Sequence, residues 1–227
     1  MKKYLMVGLA VSLSLLTACS PLMNEKTSNK KSESSISQRS EKTVQSPVKI
    51  NKQKIHEVLV DYQSVHVFED NMIGNITYNF SDTMSDDDIS VSHELLDTYY
   101  LPIKKGIVGI QEIAKQELNH LGFDQAALSN FLEADEKLVV KQNEWSKKMV
   151  EFTRENAGDL KREIAESQFS YQIDSQMSAQ RLLKLLESTG MSENEATELL
   201  SSIILEAMEI YGDPQDVEKI KQGKPNG

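Results

Sequence analysis

Apolar side chains recur every three or four positions from residue 52 to residue 212. This period places them on one face of an α-helix, so the pattern predicts amphipathic helices joined by short polar segments. The first stripe of apolar positions starts at Ile55 and ends at Ile76, with one polar lapse at Glu69. It predicts a helix of about six turns at the start of the folded region.

A polar acidic stretch over residues 81–88 follows this helix and predicts a loop. A second helical segment is expected from near Ser92, and its apolar stripe continues to Gly122. Pro102 interrupts this segment. Because proline is tolerated in the first turn of a helix but not in its interior, Pro102 predicts either a kink or the start of a new helix.

The most regular pattern follows Asp124, a residue type that favours the N-cap position of a helix. The next apolar line repeats at alternating spacings of three and four, through Leu128, Phe131, Asp135, Leu138, Gln142, Trp145, Met149 and Phe152. This heptad-like seam predicts packing that is partly like that of a coiled coil. Trp145, the only tryptophan, is therefore expected in the core.

Two members of the seam, Asp135 and Gln142, are polar. They either form a buried polar layer that sets the register of the helices or lie at the edge of an imperfect heptad repeat. We favour the edge of the bundle, because burying an unpaired carboxylate is costly.

Two further helices are predicted in the last third of the chain. The sequence from Asn156 to Asp159 has the pattern of a helix stop followed by a new N-cap. If Gly158 does not break the chain, residues 124–188 instead form one rod of roughly 100 Å. The last helix is expected to start at a capping box formed by Ser192 and Glu195.

About five helices joined by short turns predict an all-α fold, an antiparallel up-and-down helical bundle over residues 52–212. Residues 213–227 are expected to be a flexible tail. The 10 Gly and 5 Pro residues are few for a chain of 227 residues and argue against a β-sandwich or β-barrel. The single cysteine excludes a disulfide framework. A formal charge of -10 and a pI near 5.0 argue against nucleic acid as a partner.

The N-terminal residues have the pattern of a secretory signal. Lys2 and Lys3 precede an apolar run over residues 4–18, which is shorter than the roughly 20 residues needed to span a membrane. The run ends in Leu-Thr-Ala-Cys at residues 16–19, and Cys19 is the only cysteine. This motif resembles the bacterial lipobox, in which an aliphatic residue and two small residues precede the lipidated cysteine.

The resemblance implies that residues 1–18 are a lipoprotein signal peptide and that cleavage makes Cys19 the N-terminus, with a thioether-linked diacylglycerol. Two acyl chains anchor a protein stably, since each buried CH₂ contributes about 0.8 kcal/mol. Residues 19–51 hold few large apolar side chains and are expected to be a disordered tether. A coil of about 30 residues spans roughly 30 Å. The mature chain has a formal charge of -12, which favours a domain that stands away from an anionic membrane.

His93, Glu94 and Asp97 form a pattern one residue away from a zincin motif, in which two histidines four residues apart bind zinc and the glutamate activates water. A third ligand would have to come from His56, His66 or His120. We favour a solvated helix face for these residues. The acidic stretch over residues 81–88 does not fit the ligand spacing of an EF-hand, so we interpret it as a solvated turn.

These features predict a lipid-anchored protein on the outer face of the cell membrane, whose helical domain binds a protein partner or a cell-envelope component. The overall plan is similar to small helical lipoproteins of Gram-positive bacteria, some of which are described as cell-wall-binding proteins. We expect no enzyme activity and no cofactor. One alternative is a metal-dependent surface enzyme that uses His93, Glu94 and Asp97. The other is a precursor of a peptide pheromone, because some enterococcal lipoproteins release one from their signal peptide and residues 11–18 have a suitable length and character.

Overall fold

The structure is a computed structural model that describes residues 51–222. Residues 1–50, which include the predicted signal peptide, Cys19 and nearly all of the predicted tether, lie outside the described residues, as do residues 223–227. The described part of the chain is all-α, with no strand between residues 51 and 222. The fold class predicted from the sequence is therefore confirmed.

The helices follow one another with short connections. A short π-helical segment, Leu96–Tyr100, joins the second helix to the third. The helices are α1 (Lys52–Tyr78), α2 (Asp86–Leu95), α3 (Leu101–Leu118), α4 (Gln125–Val150), α5 (Ala157–Glu187), α6 (Glu193–Tyr211) and α7 (Pro214–Lys221).

Five long helices form the bundle, and α1 packs against α3, α4, α5 and α6. The apolar side chains divide into two clusters. The first cluster joins the beginnings of α1, α4 and α6 to the ends of α3 and α5, through residues such as Ile55, Leu118, Phe131, Leu185 and Leu200. Because beginnings of helices meet ends of helices, the five helices alternate in direction, as an up-and-down bundle requires.

The acidic stretch is only partly a loop. Ser85 caps α2 by accepting a hydrogen bond from the Asp88 backbone N–H, and the Asp88 side chain accepts one in return. Asp86 to Asp88 therefore form the first helical turn, where the positive end of the helix dipole favours carboxylates. The predictions of a loop to residue 88 and of a helix start near Ser92 are wrong, since α2 begins at Asp86.

Pro102 lies in the first turn of α3, which confirms the second of the two predicted alternatives. The chain runs from α2 into α3 through the π-helical segment, where the Leu101 N–H donates to the Leu96 carbonyl. A proline lacks an N–H and its ring clashes with the carbonyl four residues earlier. The wider π-helical turn is one way in which a helix accommodates such a residue.

The long rod over residues 124–188 does not form, because α4 ends at Val150 and α5 begins at Ala157. The break lies at the turn before Asn156, whose side chain accepts a hydrogen bond of 2.7 Å from the Thr153 N–H. Gly158 lies inside the first turn of α5. It is required there for close packing, since a Cβ atom at this position would lie 2.9 Å from the backbone nitrogen of Asp82.

The segment predicted as a flexible tail from residue 213 contains the helix α7. Asp213 caps it by accepting a hydrogen bond from the Gln215 N–H, and Pro214 occupies its first turn. Val217 is buried in the first apolar cluster. A single buried side chain in a polar segment produces no apolar periodicity. The sequence pattern therefore predicted a flexible tail instead of a helix.

Candidate functional site

Asp135 and Gln142 lie inside the bundle and are only 1% and 2% exposed. The interpretation that they lie at its edge is therefore wrong, and they belong to a buried polar layer. This layer occupies the level at which the two apolar clusters meet, because Asp135 stands on α4 between Phe131 of one cluster and Leu138 of the other. Trp145 is buried in the second cluster, as predicted.

His66 is the centre of this layer, which we call the histidine layer. Its Nε2 atom lies 3.0 Å from Asp135 Oδ2 and its Nδ1 atom lies 2.9 Å from Gln142 Oε1. Both ring nitrogens thus face acceptors, an arrangement that suits the doubly protonated imidazolium. Tyr62 Oη and Ser178 Oγ each donate a hydrogen bond of 2.8 Å to the Asp135 carboxylate.

The charges of His66 and Asp135 stabilise one another. Burial by itself would lower the pKa of His66, but the Asp135 carboxylate and the two hydrogen bonds raise it to about 9. Burial would raise the pKa of Asp135, but the His66 charge and three hydrogen bonds hold it below its usual range. The pair is therefore ionised at neutral pH.

The histidine layer continues to Asp70 and Tyr171. Gln142 Nε2 donates hydrogen bonds of 2.9 Å to Asp70 Oδ1 and 2.7 Å to Tyr171 Oη, and Tyr171 Oη donates one of 2.7 Å to Asp70 Oδ1. Burial raises the pKa of Asp70 to about 6, although these hydrogen bonds oppose the shift. Asp70 is thus the member of the layer whose charge changes closest to neutral pH.

A second polar cluster, which we call the lysine layer, lies between α1, α3 and α4. Glu69, the lapse in the first apolar stripe, is buried, and its Oε1 atom lies 2.8 Å from Lys104 Nζ. Tyr100 Oη donates a hydrogen bond of 2.6 Å to Glu69 Oε2. Lys104 Nζ also donates one of 2.7 Å to Ser146 Oγ. Burial, together with the Glu69 charge, raises the pKa of the Tyr100 hydroxyl.

A cavity of about 30 Å³ adjoins the histidine layer between α1, α4, α5 and α6. Its polar wall includes His66, Asp70 and Tyr171, and its apolar wall includes Leu182 and Ile204. This volume matches one water molecule rather than a small-molecule substrate. The histidine layer therefore has the geometry of a structural element that fixes helix register, with its polar groups directed at one another.

The structure does not bring a further histidine to His93, Glu94 and Asp97 as the missing ligand. His93 stacks on the ring of Phe152, with centroids 4.4 Å apart, whereas Glu94 and Asp97 are exposed. The other histidines are placed differently: His66 lies in the histidine layer, His56 contacts Ser202 and Glu206, and His120 is exposed. Within residues 51–222 no group of three or more His, Cys, Asp or Glu side chains is placed to hold a metal ion.

Two carboxylates of the acidic stretch form ion pairs with α5 and with the turn before α5. Asp82 Oδ2 lies 2.9 Å from Arg162 Nη1, and Asp86 Oδ1 lies 3.0 Å from Arg154 Nη1. These pairs are exposed and each contributes little to stability. Their role is to hold the turn before α2 against the beginning of α5.

The outer side of α5 carries a line of exposed apolar side chains, which we call the α5 ridge. Phe169 is 74% exposed, and Ile173 and Met177 follow at successive intervals of four residues with 44% and 40% exposed. This spacing places all three on the same side of the helix.

An open groove of about 450 Å³ lies between α4 and α5, beside this ridge. Its polar lining includes four carboxylates and two lysines, from Glu133, Glu136, Lys137, Lys141, Glu144 and Asp174. The groove is therefore acidic on balance. Sequence periodicity identifies the line of the ridge but cannot tell whether another helix covers it, so the exposed surface could only be found in the structure.

No helix between residues 51 and 222 is both long enough and apolar enough to cross a membrane.

Comparison of the chain with protein-family models, with curated proteins and with solved structures finds no match. The fold and the site thus define the class of the described region, an all-α helical bundle with a buried charged layer and an exposed apolar ridge.

Proposed function

We propose that this protein is a lipid-anchored extracytoplasmic protein whose helical bundle binds a protein partner or another cell-envelope component through the α5 ridge and the adjacent groove. The observation that carries the binding role is the exposure of Phe169 within a line of three large apolar side chains. The lipobox at residues 16–19 and the polar segment over residues 19–51 support the anchor.

The ridge has the chemistry of a binding surface. Burial of apolar area stabilises a contact by roughly 25 cal/mol per Å², and a phenyl ring offers a large area at a small cost in conformational entropy. Aromatic side chains are also enriched among the residues that dominate binding energy. Phe169 is thus the proposed anchor residue, with Ile173 and Met177 extending the apolar contact along α5.

The groove adds a requirement on the charge of the partner. Four carboxylates and two lysines line it, so a partner that presents basic side chains beside apolar ones is complementary to this surface. A negative lipid headgroup has the opposite charge. This supports a protein or another cationic component of the envelope as the partner, rather than the membrane surface itself.

Crosslinking in the host cell tests the binding role. The full chain carrying Phe169→Ser and Ile173→Ser is compared with the wild type and with Ile210→Ser, which changes an equally apolar residue that is 52% exposed on α6. We expect the ridge variant to lose its principal crosslinked partner while the α6 variant keeps it. Identical crosslinking patterns in all three proteins would refute the ridge as the binding surface.

Replacement of the cysteine tests the anchor independently. Cys19→Ala removes the only thiol that can carry the diacylglycerol, so we expect release from the membrane fraction or stalled processing of the signal peptide. Incorporation of radiolabelled lipid provides the measurement. Labelling of the Cys19→Ala chain at the wild-type level would contradict the proposed lipidation site.

A further inference from the structure

The helical path from α2 through the π-helical segment into α3 carries large apolar side chains on its outer side. Val91, Leu95, Tyr99, Ile110 and Ile113 are between 41% and 64% exposed, and we call these five residues the outer stripe. The adjoining face of α3 packs against α1 through Ile107, Ala114 and Leu118. The outer stripe is thus the face of this path that the bundle leaves uncovered.

Two glycines interrupt the stripe in the middle of α3. A Cβ atom added to Gly106 or Gly109 would meet no atom within 4 Å, so the space above both residues is open. The two glycines lie three residues apart and therefore face the same side of the helix. Their missing side chains allow another backbone to approach closely between Tyr99 on one side and Ile110 with Ile113 on the other.

We infer that the outer stripe is the contact surface of a homodimer in which α3 of one copy packs antiparallel against α3 of a second copy. A two-fold axis through the midpoint of Gly106 and Gly109 places each glycine opposite the other glycine of the second copy. The same axis places Ile113 opposite Pro102 of the second copy, next to Tyr99. A surface that is complementary to itself in this way is what a two-fold symmetric dimer requires.

The charges beside the stripe identify the second copy as the occupant. Lys105 and Glu112 are exposed on the same flank of α3, two turns apart, and neither has an ion-pair partner among the described residues. By contrast, the neighbouring Lys104 and Glu117 are paired within the chain, with Glu69 and Lys54 respectively.

An antiparallel arrangement joins identical flanks of the two helices. It therefore brings Lys105 within one helical turn of Glu112 of the second copy, and symmetry repeats the pair. A parallel arrangement joins opposite flanks, so these two charges would face the flank that carries Tyr99 and Ile110. The charge pattern thus favours the antiparallel dimer.

The oligomeric state of the full chain, purified in mild detergent and measured by light scattering over a concentration series, tests this inference. We expect a dimer in the wild type. Gly109→Leu fills the open space above α3 and should raise the Kd of the dimer at least about tenfold. The melting temperature of the dilute monomer should not fall, because an added Cβ atom has no neighbour within 4 Å in the single chain. Ile210→Ser, an exposed apolar residue on α6, is the matched control and should leave the dimer unchanged.

A charge swap tests the orientation. Lys105→Glu and Glu112→Lys should each raise the Kd of the dimer by about three- to tenfold, and the double variant should restore it. A full chain that is monomeric throughout the series, or a dimer that Gly109→Leu leaves intact, would overturn the inference. Failure of the double variant to recover the dimer would overturn the antiparallel arrangement. These results are independent of the proposed α5 partner, because the dimer variants leave the α5 ridge unaltered.

Discussion

The histidine layer and the lysine layer both use α1 and α4, yet they differ in how their charges reach water. In the histidine layer the side chains of His66 and Asp135 are 8% and 1% exposed, and both are short and fixed. In the lysine layer Glu69 is equally buried, but Lys104 is 17% exposed and has a long flexible stem. A lysine can keep its charged end close to solvent, whereas an imidazolium in a packed core cannot.

The two buried ion pairs include residues on neighbouring turns of α1, yet removing one partner should not cost the same free energy of unfolding in both. Removing one partner from the histidine layer leaves a buried group that must give up its charge, because it has no route to water. Removing one partner from the lysine layer leaves an ammonium that can turn outward. The predictions below test this distinction, beginning with the change that should have the largest effect.

Asp135→Ala should be the most destabilising of these substitutions. It removes the counter-charge of His66, so the buried ring loses its proton at neutral pH, and it removes the acceptor of Tyr62 and Ser178, so we expect a loss of about 3–5 kcal/mol in the free energy of unfolding. Chemical denaturation of the full chain measures it. Glu136→Ala, which changes the exposed neighbouring carboxylate, is the control. A loss no greater than that of the control would contradict the proposed role of the pair.

Raising the pH should weaken the histidine layer. The folded-state pKa of His66 is about 9, above the usual value of 6.5, so its contribution is complete below pH 6.5 and is lost as the pH rises through about 9. The expected loss is about 3 kcal/mol. Denaturation at several pH values measures the difference between wild type and His66→Gln, which lacks this titration. A difference that stays constant from pH 6 to pH 10 would show that the pair is not ionised as inferred.

Glu69→Ala should cost less than Asp135→Ala, about 1–3 kcal/mol, because Lys104 can redirect its ammonium to solvent. The second variant Glu69→Gln, which keeps an acceptor for Tyr100, should recover part of this loss. Unfolding free energies of both variants at neutral pH provide the test. If Glu69→Ala proves as costly as Asp135→Ala, the distinction between the two layers is wrong.

Asp70→Asn should change the free energy of unfolding least among these substitutions. Unlike the others, it should stabilise the protein at high pH. Burial raises the pKa of Asp70 to about 6, so ionisation of this group opposes folding above that pH. We expect the variant to gain about 1 kcal/mol relative to wild type at pH 8, and the gain to shrink as the pH falls toward 5. Asp97→Asn, an exposed carboxylate, should show no such trend. A uniform loss at both pH values would indicate that the hydrogen bonds of Asp70 outweigh its charge.

Much of the fold could be predicted from the sequence because it depends on local periodicity. The stripe from Ile55 to Ile76 lies in α1, the N-cap at Asp124 starts α4, and the capping box of Ser192 and Glu195 starts α6. These features depend on neighbours within four residues. The start of α2 was missed because its acidic first turn has the composition of a loop.

The candidate sites were harder to predict because they depend on partners far apart in the chain. A carboxylate such as Asp135 is costly to bury without partners, and its compensating partners His66, Tyr62 and Ser178 stand on two other helices. The exposure of the α5 ridge and of the outer stripe could not be predicted from the sequence for a related reason. An apolar helical line has the same pattern whether or not another helix covers it.

The sequence by itself determined the helical class and most of the helix starts, because each of these depends on residues close together along the chain. It also holds the Leu-Thr-Ala-Cys motif from which the anchor is proposed. Only the tertiary structure decided that α4 and α5 form separate packed helices, that Asp135 and Gln142 are buried, and which apolar faces stay exposed. The physical reason is that burial and charge compensation depend on side chains brought together from distant helices. Local periodicity determines which face of a helix is apolar, and tertiary packing determines which side chains, if any, contact that face.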